Sequence, residues 1–216
     1  MPPAAVAPSS KLKPVLGAIS ALFIVASPWV LYWTLSRHRV GFAAVMLIGW
    51  VILRTIPALI SAKREQRIAA LQLPGIALVF ALLGWLLDSP SFLLILPSAT
   101  QATIGLAFLR SLKGTPLIEH FARMMKAELG AAQQAHCRRW TLVWGIYLLA
   151  LAGLGLGLAR WAPLAVWTAY VGVINYVLIG VLFAIEYLVR KLRFREYGRN
   201  PIDWVLSKLF PAAGTC

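Results

Sequence analysis

The chain has 216 residues, 60% of them hydrophobic and 13% charged, with a formal net charge of +14. A soluble domain carries about 25% charged residues, so this composition, with a mean hydropathy of +0.77, excludes a water-covered globule. The basic residues lie in short clusters between long apolar runs and not in one polar module, which argues against nucleic-acid binding and for contact with anionic lipid headgroups.

Residues 1–13 (MPPAAVAPSSKLK) are rich in Pro, Ala and Ser and read as a disordered tail. Lys11 and Lys13 then precede an apolar run from Pro14 to Leu35. A basic flank before an apolar run also suits a signal peptide. The run is about 20 residues long, enough for a span, and no A-x-A site follows, so a retained first helix is expected. The second span is predicted from Val40 to Ile60, interrupted by Arg54 and Pro57, and a basic loop follows with Lys63, Arg64, Glu65 and Arg67. The third covers Ile68 to Leu87 and ends at the turn signal Asp88-Ser89-Pro90.

The fourth span, Phe92 to Leu109, is the least hydrophobic, with Ser98, Thr100, Gln101 and Thr103 in it. A polar stretch from Arg110 to Arg139 separates it from the fifth, Trp140 to Leu158. A short turn at Arg160-Trp161-Ala162-Pro163 leads into the sixth, Leu164 to Val189. The expected architecture is therefore an all-α polytopic membrane protein of six transmembrane helices with short amphipathic surface helices. Residues 14–189 form the bundle, including the loop 110–139, and residues 190–216 form a basic tail.

With six spans, the N-terminus, the loops 61–67 and 110–139 and the tail share one side and carry 17 of the 21 Lys and Arg residues. The other side has Arg37, Arg39 and Arg160, and Arg54 lies within a span. The positive-inside rule makes the 17-residue side cytoplasmic, with both termini there. The expected location is a bacterial inner membrane crossed several times.

Two polar segments read as surface helices. Pro116 suits a first helical position, and Leu117, Phe121, Met125 and Leu129 recur at spacing four, with Arg123, Lys126 and Glu128 on a more polar side. In the tail, Asn200-Pro201-Ile202-Asp203 reads as N-cap, N1 and an acidic N3, ahead of the stripe Ile202, Val205, Leu206 and Leu209. Each stripe can pack on the bundle, lie in the lipid interface or dock a partner.

An intramembrane charge is costly and marks a functional position by default. Arg54 lies about two turns from the cytoplasmic end, where its stem can snorkel. Glu186 sits at a similar depth on the sixth span, so Arg54 and Glu186 form a candidate ion pair. Ser98, Gln101 and Thr103 do not share one face; like Asn175 they are expected to hydrogen-bond between helices. Gly153 and Gly157 form a G-x-x-x-G that permits close packing. Trp29, Trp33, Trp85, Trp140 and Trp161 fall near span ends as interfacial anchors, while Trp50, Trp144 and Trp167 sit deeper.

The two cysteines, Cys137 and Cys216, form no C-x-x-C, and Cys216 as last residue excludes a prenylation box. The three histidines, His38, His120 and His136, lie outside the spans and form no metal or catalytic motif. His136-Cys137 is a pair of chain neighbours, which is not the geometry of a dyad. With seven acidic residues and no Walker A or G-x-S-x-G, the sequence offers no catalytic, cofactor or metal residues and reads as non-enzymatic.

The runs Gly114-Thr-Pro-Leu-Ile-Glu-His-Phe-Ala-Arg123 and Cys137-Arg-Arg-Trp-Thr-Leu-Val-Trp144, with Glu186-Tyr-Leu-Val-Arg190, Phe194-Arg-Glu-Tyr197 and Asn200-Pro201, carry a resemblance. Over residues 108–210 the chain resembles an uncharacterised family of bacterial inner-membrane proteins. That family is encoded beside ketosynthase and acyl-carrier-protein genes, in clusters similar to those of aryl-polyene synthesis. It also distantly resembles septation protein A. The resemblance implies a membrane component that anchors or assists a lipid- or polyene-acyl assembly or envelope pathway. The expected partners are membrane lipids, acyl carrier protein or another cytoplasmic pathway protein, and further copies of the chain. Arg190, Lys191, Arg193 and Arg195 are the candidate partner or headgroup surface. A small transporter or lipid flippase is the alternative.

Overall fold

A computed structural model describes residues 26–61, 64–125, 128–195 and 201–209; within these, the side chains of residues 53, 54, 56–61, 64–70, 72, 125, 201, 202, 205 and 206 lie outside the description. The described residues are helical and contain no strand. In chain order the helices are α1 (26–35), α2 (Val40–Ser61), α3 (Arg64–Leu86), α4 (Pro90–Ser111), α5 (Leu117–Met125), α6 (Ala131–Trp161), α7 (Leu164–Phe194) and α8 (Pro201–Leu209).

Three of them, α4, α6 and α7, are long and apolar enough to cross a membrane. Val40–Ile52 in α2 and Leu73–Leu86 in α3 are shorter apolar stretches among the described residues. The apolar helices fit a membrane-embedded protein. The fourth span, the least hydrophobic in sequence, is a full 22-residue helix that continues through Pro97. Helix α2 likewise continues through Arg54 and Pro57. Most of the first predicted span, 14–25, lies outside the described residues.

Helices α6 and α7 have 31 residues each, longer than the spans expected from sequence. At 1.5 Å per residue each is roughly 46 Å long, against about 30 Å of hydrocarbon. The surplus is at the basic ends, Ala131–Arg139 and Arg190–Phe194, where helix continues beyond the expected span. The sequence expectation of a polar loop up to Arg139 is thereby corrected. Ala, Gln and Arg are strong helix formers, and a helix propagates at little cost once its apolar part is formed.

The chain divides into two compact units, Met1–Leu94 with Leu158–Gly172, and Ile95–Gly157 with Val173–Cys216. In the first unit α2 and α3 pack side by side, and Gly41 near the start of α2 faces Trp85 near the end of α3. The turns after α1 and α3 are alike. His38 and Asp88 take left-handed backbone angles (φ 54° and 44°), and the amides of Arg39 and Ser89 bond the carbonyls of Thr34 and Gly84 five residues back. This is the capping pattern that usually recruits glycine. A π-helical turn, Tyr170–Ile174, interrupts α7, and its Gly172 lies against Pro28 and Trp29.

The second unit centres on Trp144, Leu148 and Leu182, with Phe108, Ile118, Trp140, Tyr147 and Ile179 packed around them. The Trp144 ring meets Phe183 edge-on at 5.0 Å, and the Tyr147 hydroxyl donates to the Leu178 carbonyl at 3.0 Å. Helix α4 meets α6 where Gly105 faces Gly145. A Cβ on Gly105 would stand 3.1 Å from the Gly145 carbonyl oxygen, and a Cβ on Gly145 would collide with Leu109. The glycine contact expected from sequence, Gly153 of the G-x-x-x-G, has nothing within 4 Å of its Cβ position.

Threonine hydroxyls inside these helices are satisfied locally, whereas the buried indole Nε1 of Trp167 meets no hydrogen-bond partner among the described residues. The hydroxyls of Thr34, Thr55, Thr103, Thr141 and Thr168 each donate to the carbonyl four residues back. The Gln101 amide of α4 donates to Asn175 Oδ1 of α7 at 3.1 Å, the interhelical bond that the sequence anticipates for both residues.

Two outcomes test this packing. Gly145→Ala should destabilise the detergent-solubilised protein by about 1–3 kcal/mol through overpacking, whereas Gly153→Ala should leave its unfolding transition unchanged or slightly raised. Gln101→Leu and Asn175→Leu should each cost about 0.6–1.7 kcal/mol. The double variant should cost less than the sum of the two, giving a non-zero coupling in a double-mutant cycle.

Candidate functional site

Helices α6 and α7 run antiparallel in the second unit, so equal distances from the turn at Ala162 come together. His136 and Glu186 lie about 25 residues on either side of it, and Glu186 Oε1 faces His136 Nε2 at 3.9 Å. One turn further along α7, Arg190 Nε stands 3.6 Å from the same carboxylate oxygen. Both distances exceed a direct hydrogen bond, so the attraction is that of charge and dipole. His136 is only 2% exposed; its ring meets Phe194 edge-on at 5.3 Å and lies 6.0 Å from Trp140. It is a packed aromatic of the helix pair as well as a polar neighbour of Glu186.

Two further carboxylates are buried at this end. Asp203 of α8, 1% exposed, accepts from the Tyr187 hydroxyl and from Lys191 Nζ at 2.6 Å. This fastens the tail helix to α7. Glu119 of α5 is also buried and is bonded by Arg123, one turn on, through Nε at 2.9 Å and Nη2 at 2.7 Å. The start of α5 is held by hydroxyls of its neighbours. The Leu117 amide donates to Ser111 Oγ at 3.0 Å, and the Ile118 amide to Thr141 Oγ1 at 3.3 Å. Side chains from elsewhere in the fold thus fill the role of an N-cap.

The candidate residues are therefore sorted by the fold. Glu186 finds its neighbours in His136 and Arg190, while the side chain of Arg54, the partner expected from sequence, lies outside the described residues. Of the proposed surface group, Lys191 is engaged with Asp203 and Arg190 with Glu186. Arg193 and Arg195 are exposed, Arg193 over the Phe194 ring and Arg195 in a left-handed cap that ends α7. Arg110, Lys113, Arg138, Arg139 and Lys208 are exposed as well. The sequence reading missed Arg138 and Arg139 as part of this face because it placed them in a loop. Asn200, the expected cap of the tail helix, lies outside the described residues, and Asp203, the expected acidic N3, is buried against Tyr187 and Lys191.

What this arrangement can do follows from its charges. Pairing three carboxylates inward removes them from the surface and leaves arginine and lysine facing out, with Glu128 the one exposed acid of this end among the described residues. Among the described residues no three His, Cys, Asp or Glu side chains converge on a common point. In the first unit, an open apolar trough of about 480 Å³ lies beside Trp29, Trp33, Phe42 and Met46. Its Thr34 hydroxyl already donates to the Val30 carbonyl.

Comparison with protein-family models, with curated proteins and with solved structures finds no match to this chain.

Asp203→Asn should loosen α8, because Lys191 loses the charge it is paired with. Limited trypsin digestion at the exposed Lys208 and Arg195 should accelerate, while the spans stay intact. Replacing Lys191 by Met together with Asp203 by Leu should restore part of the protection.

Proposed function

We propose that this chain is a non-enzymatic component of a bacterial inner membrane that docks an acidic cytoplasmic partner at the basic end of its α6–α7 hairpin. On this reading the chain crosses the membrane six times with both termini in the cytoplasm, as the 17-to-3 distribution of Lys and Arg favours. The resemblance over residues 108–210 suggests acyl carrier protein as that partner, within a lipid- or polyene-acyl assembly or envelope pathway.

One observation carries the reading. Glu119, Glu186 and Asp203 turn inward against basic neighbours, so the outer face of this end is left cationic. A fold that only needed solubility there would leave acids and bases interspersed on the surface. Segregated charge attracts a partner of opposite sign and sets its approach. Because Arg190 and Lys191 lie against Glu186 and Asp203, the docking role passes to the exposed Arg138, Arg139 and Arg193. The transport alternative draws less support, since Gln101 and Asn175 satisfy one another within the span region.

The test is recovery of acyl carrier protein by the full chain in nanodiscs. The triple variant Arg138→Glu, Arg139→Glu and Arg193→Glu should lower recovery roughly tenfold, the effect of about 1.4 kcal/mol. Raised salt should weaken wild-type recovery. Unchanged recovery by the triple variant rejects the docking role, and substrate accumulation in sealed vesicles would favour the transport alternative.

A further inference from the structure

Helix α5 packs Ile118 against the core of the second unit and leaves a second apolar pair outside. Pro116 and Glu119 are buried, whereas Phe121 and Met124, three residues apart on one face, are 54% and 73% exposed. An aromatic and a long thioether side chain facing outward on a nine-residue helix need an apolar medium or a partner. We propose that α5 is an interfacial helix, with Phe121 and Met124 inserted at the acyl–headgroup boundary of an anionic bilayer.

The depth of the helix supports lipid as the occupant. Its first amides are fixed to Ser111, the last residue of α4, and to Thr141, one residue inside Trp140 on α6. Those residues mark where the two apolar helices pass between hydrocarbon and water, so α5 begins at the level of the headgroups. Its surroundings are cationic: Lys113, Arg138 and Arg139 are exposed, and the Arg123 side chain is 42% exposed while bonded to Glu119. Basic residues flanking an apolar face match anionic headgroups over acyl chains. The face is also too small for a stable second copy: a nine-residue helix offers two large side chains, against the ~800 Å² per partner of a standard interface.

This inference rests on α6 crossing the bilayer, and labelling distinguishes the two. In a Cys137→Ala, Cys216→Ser background, the full chain is reconstituted in phosphatidylglycerol vesicles with one environment-sensitive fluorophore at Phe121→Cys, Met124→Cys, Ile146→Cys or Arg138→Cys. The exposed Ile146 lies within the apolar run of α6 and reports the span; Arg138 reports the aqueous overhang. Labels at 121, 124 and 146 are expected to lose fluorescence to doxyl-labelled lipid and to resist aqueous iodide, with the reverse at 138. Iodide quenching at 121 and 124 with lipid quenching at 146 overturns the interfacial helix alone. Protection at 121 and 124 from both quenchers also overturns it, in favour of a protein-covered face. Iodide quenching at 146 overturns the spanning placement and the inference with it.

Discussion

Hydrocarbon supplies no hydrogen-bond partner, and the hydrogen bonds made by polar side chains within the described apolar helices answer that constraint. Threonine hydroxyls return to their own helices, and Gln101 of α4 finds Asn175 of α7. The ionisable residues of the α6–α7 pair gather at the ends of two helices that continue beyond their apolar runs. The buried ends are closed by packing, with His136 held between Trp140 and Phe194.

The inward turn of the acids shapes the rest of that end. Asp203 draws α8 onto α7, and Glu119 faces α5 inward, which obliges Phe121 and Met124 to face out. A helix of nine residues cannot bury two opposite faces against one neighbour. The same arrangement that makes the surface cationic therefore also exposes an apolar ridge beside it. Cationic and apolar groups side by side suit a location where headgroups meet acyl chains.

Much of the fold was legible from residue types and their periods. Long apolar runs marked α4, α6 and α7, because length and hydrophobicity are local properties. Tryptophan burial followed the expectation in part: Trp29, Trp33, Trp85 and Trp161 are exposed and Trp144 and Trp167 buried, but Trp140, expected at a span end, packs against the core and Trp50 is half-buried. The glycine contact was not legible. Gly153 and Gly157 share a helix at a familiar spacing, but the close approach joins Gly105 to Gly145 on different helices. Spacing within one helix does not say which face meets a neighbour.

By itself the sequence determined that the chain is helical and suited to a membrane, since composition, run length and charge distribution set those through transfer free energies residue by residue. It also determined that Gln101 and Asn175 needed partners. Only the tertiary structure decided which partners: Asn175 for Gln101, His136 and Arg190 for Glu186, and Lys191 with Tyr187 for Asp203. Those pairings depend on helix register and on where a helix stops, which residues about 25 positions from a turn set jointly and no local window contains.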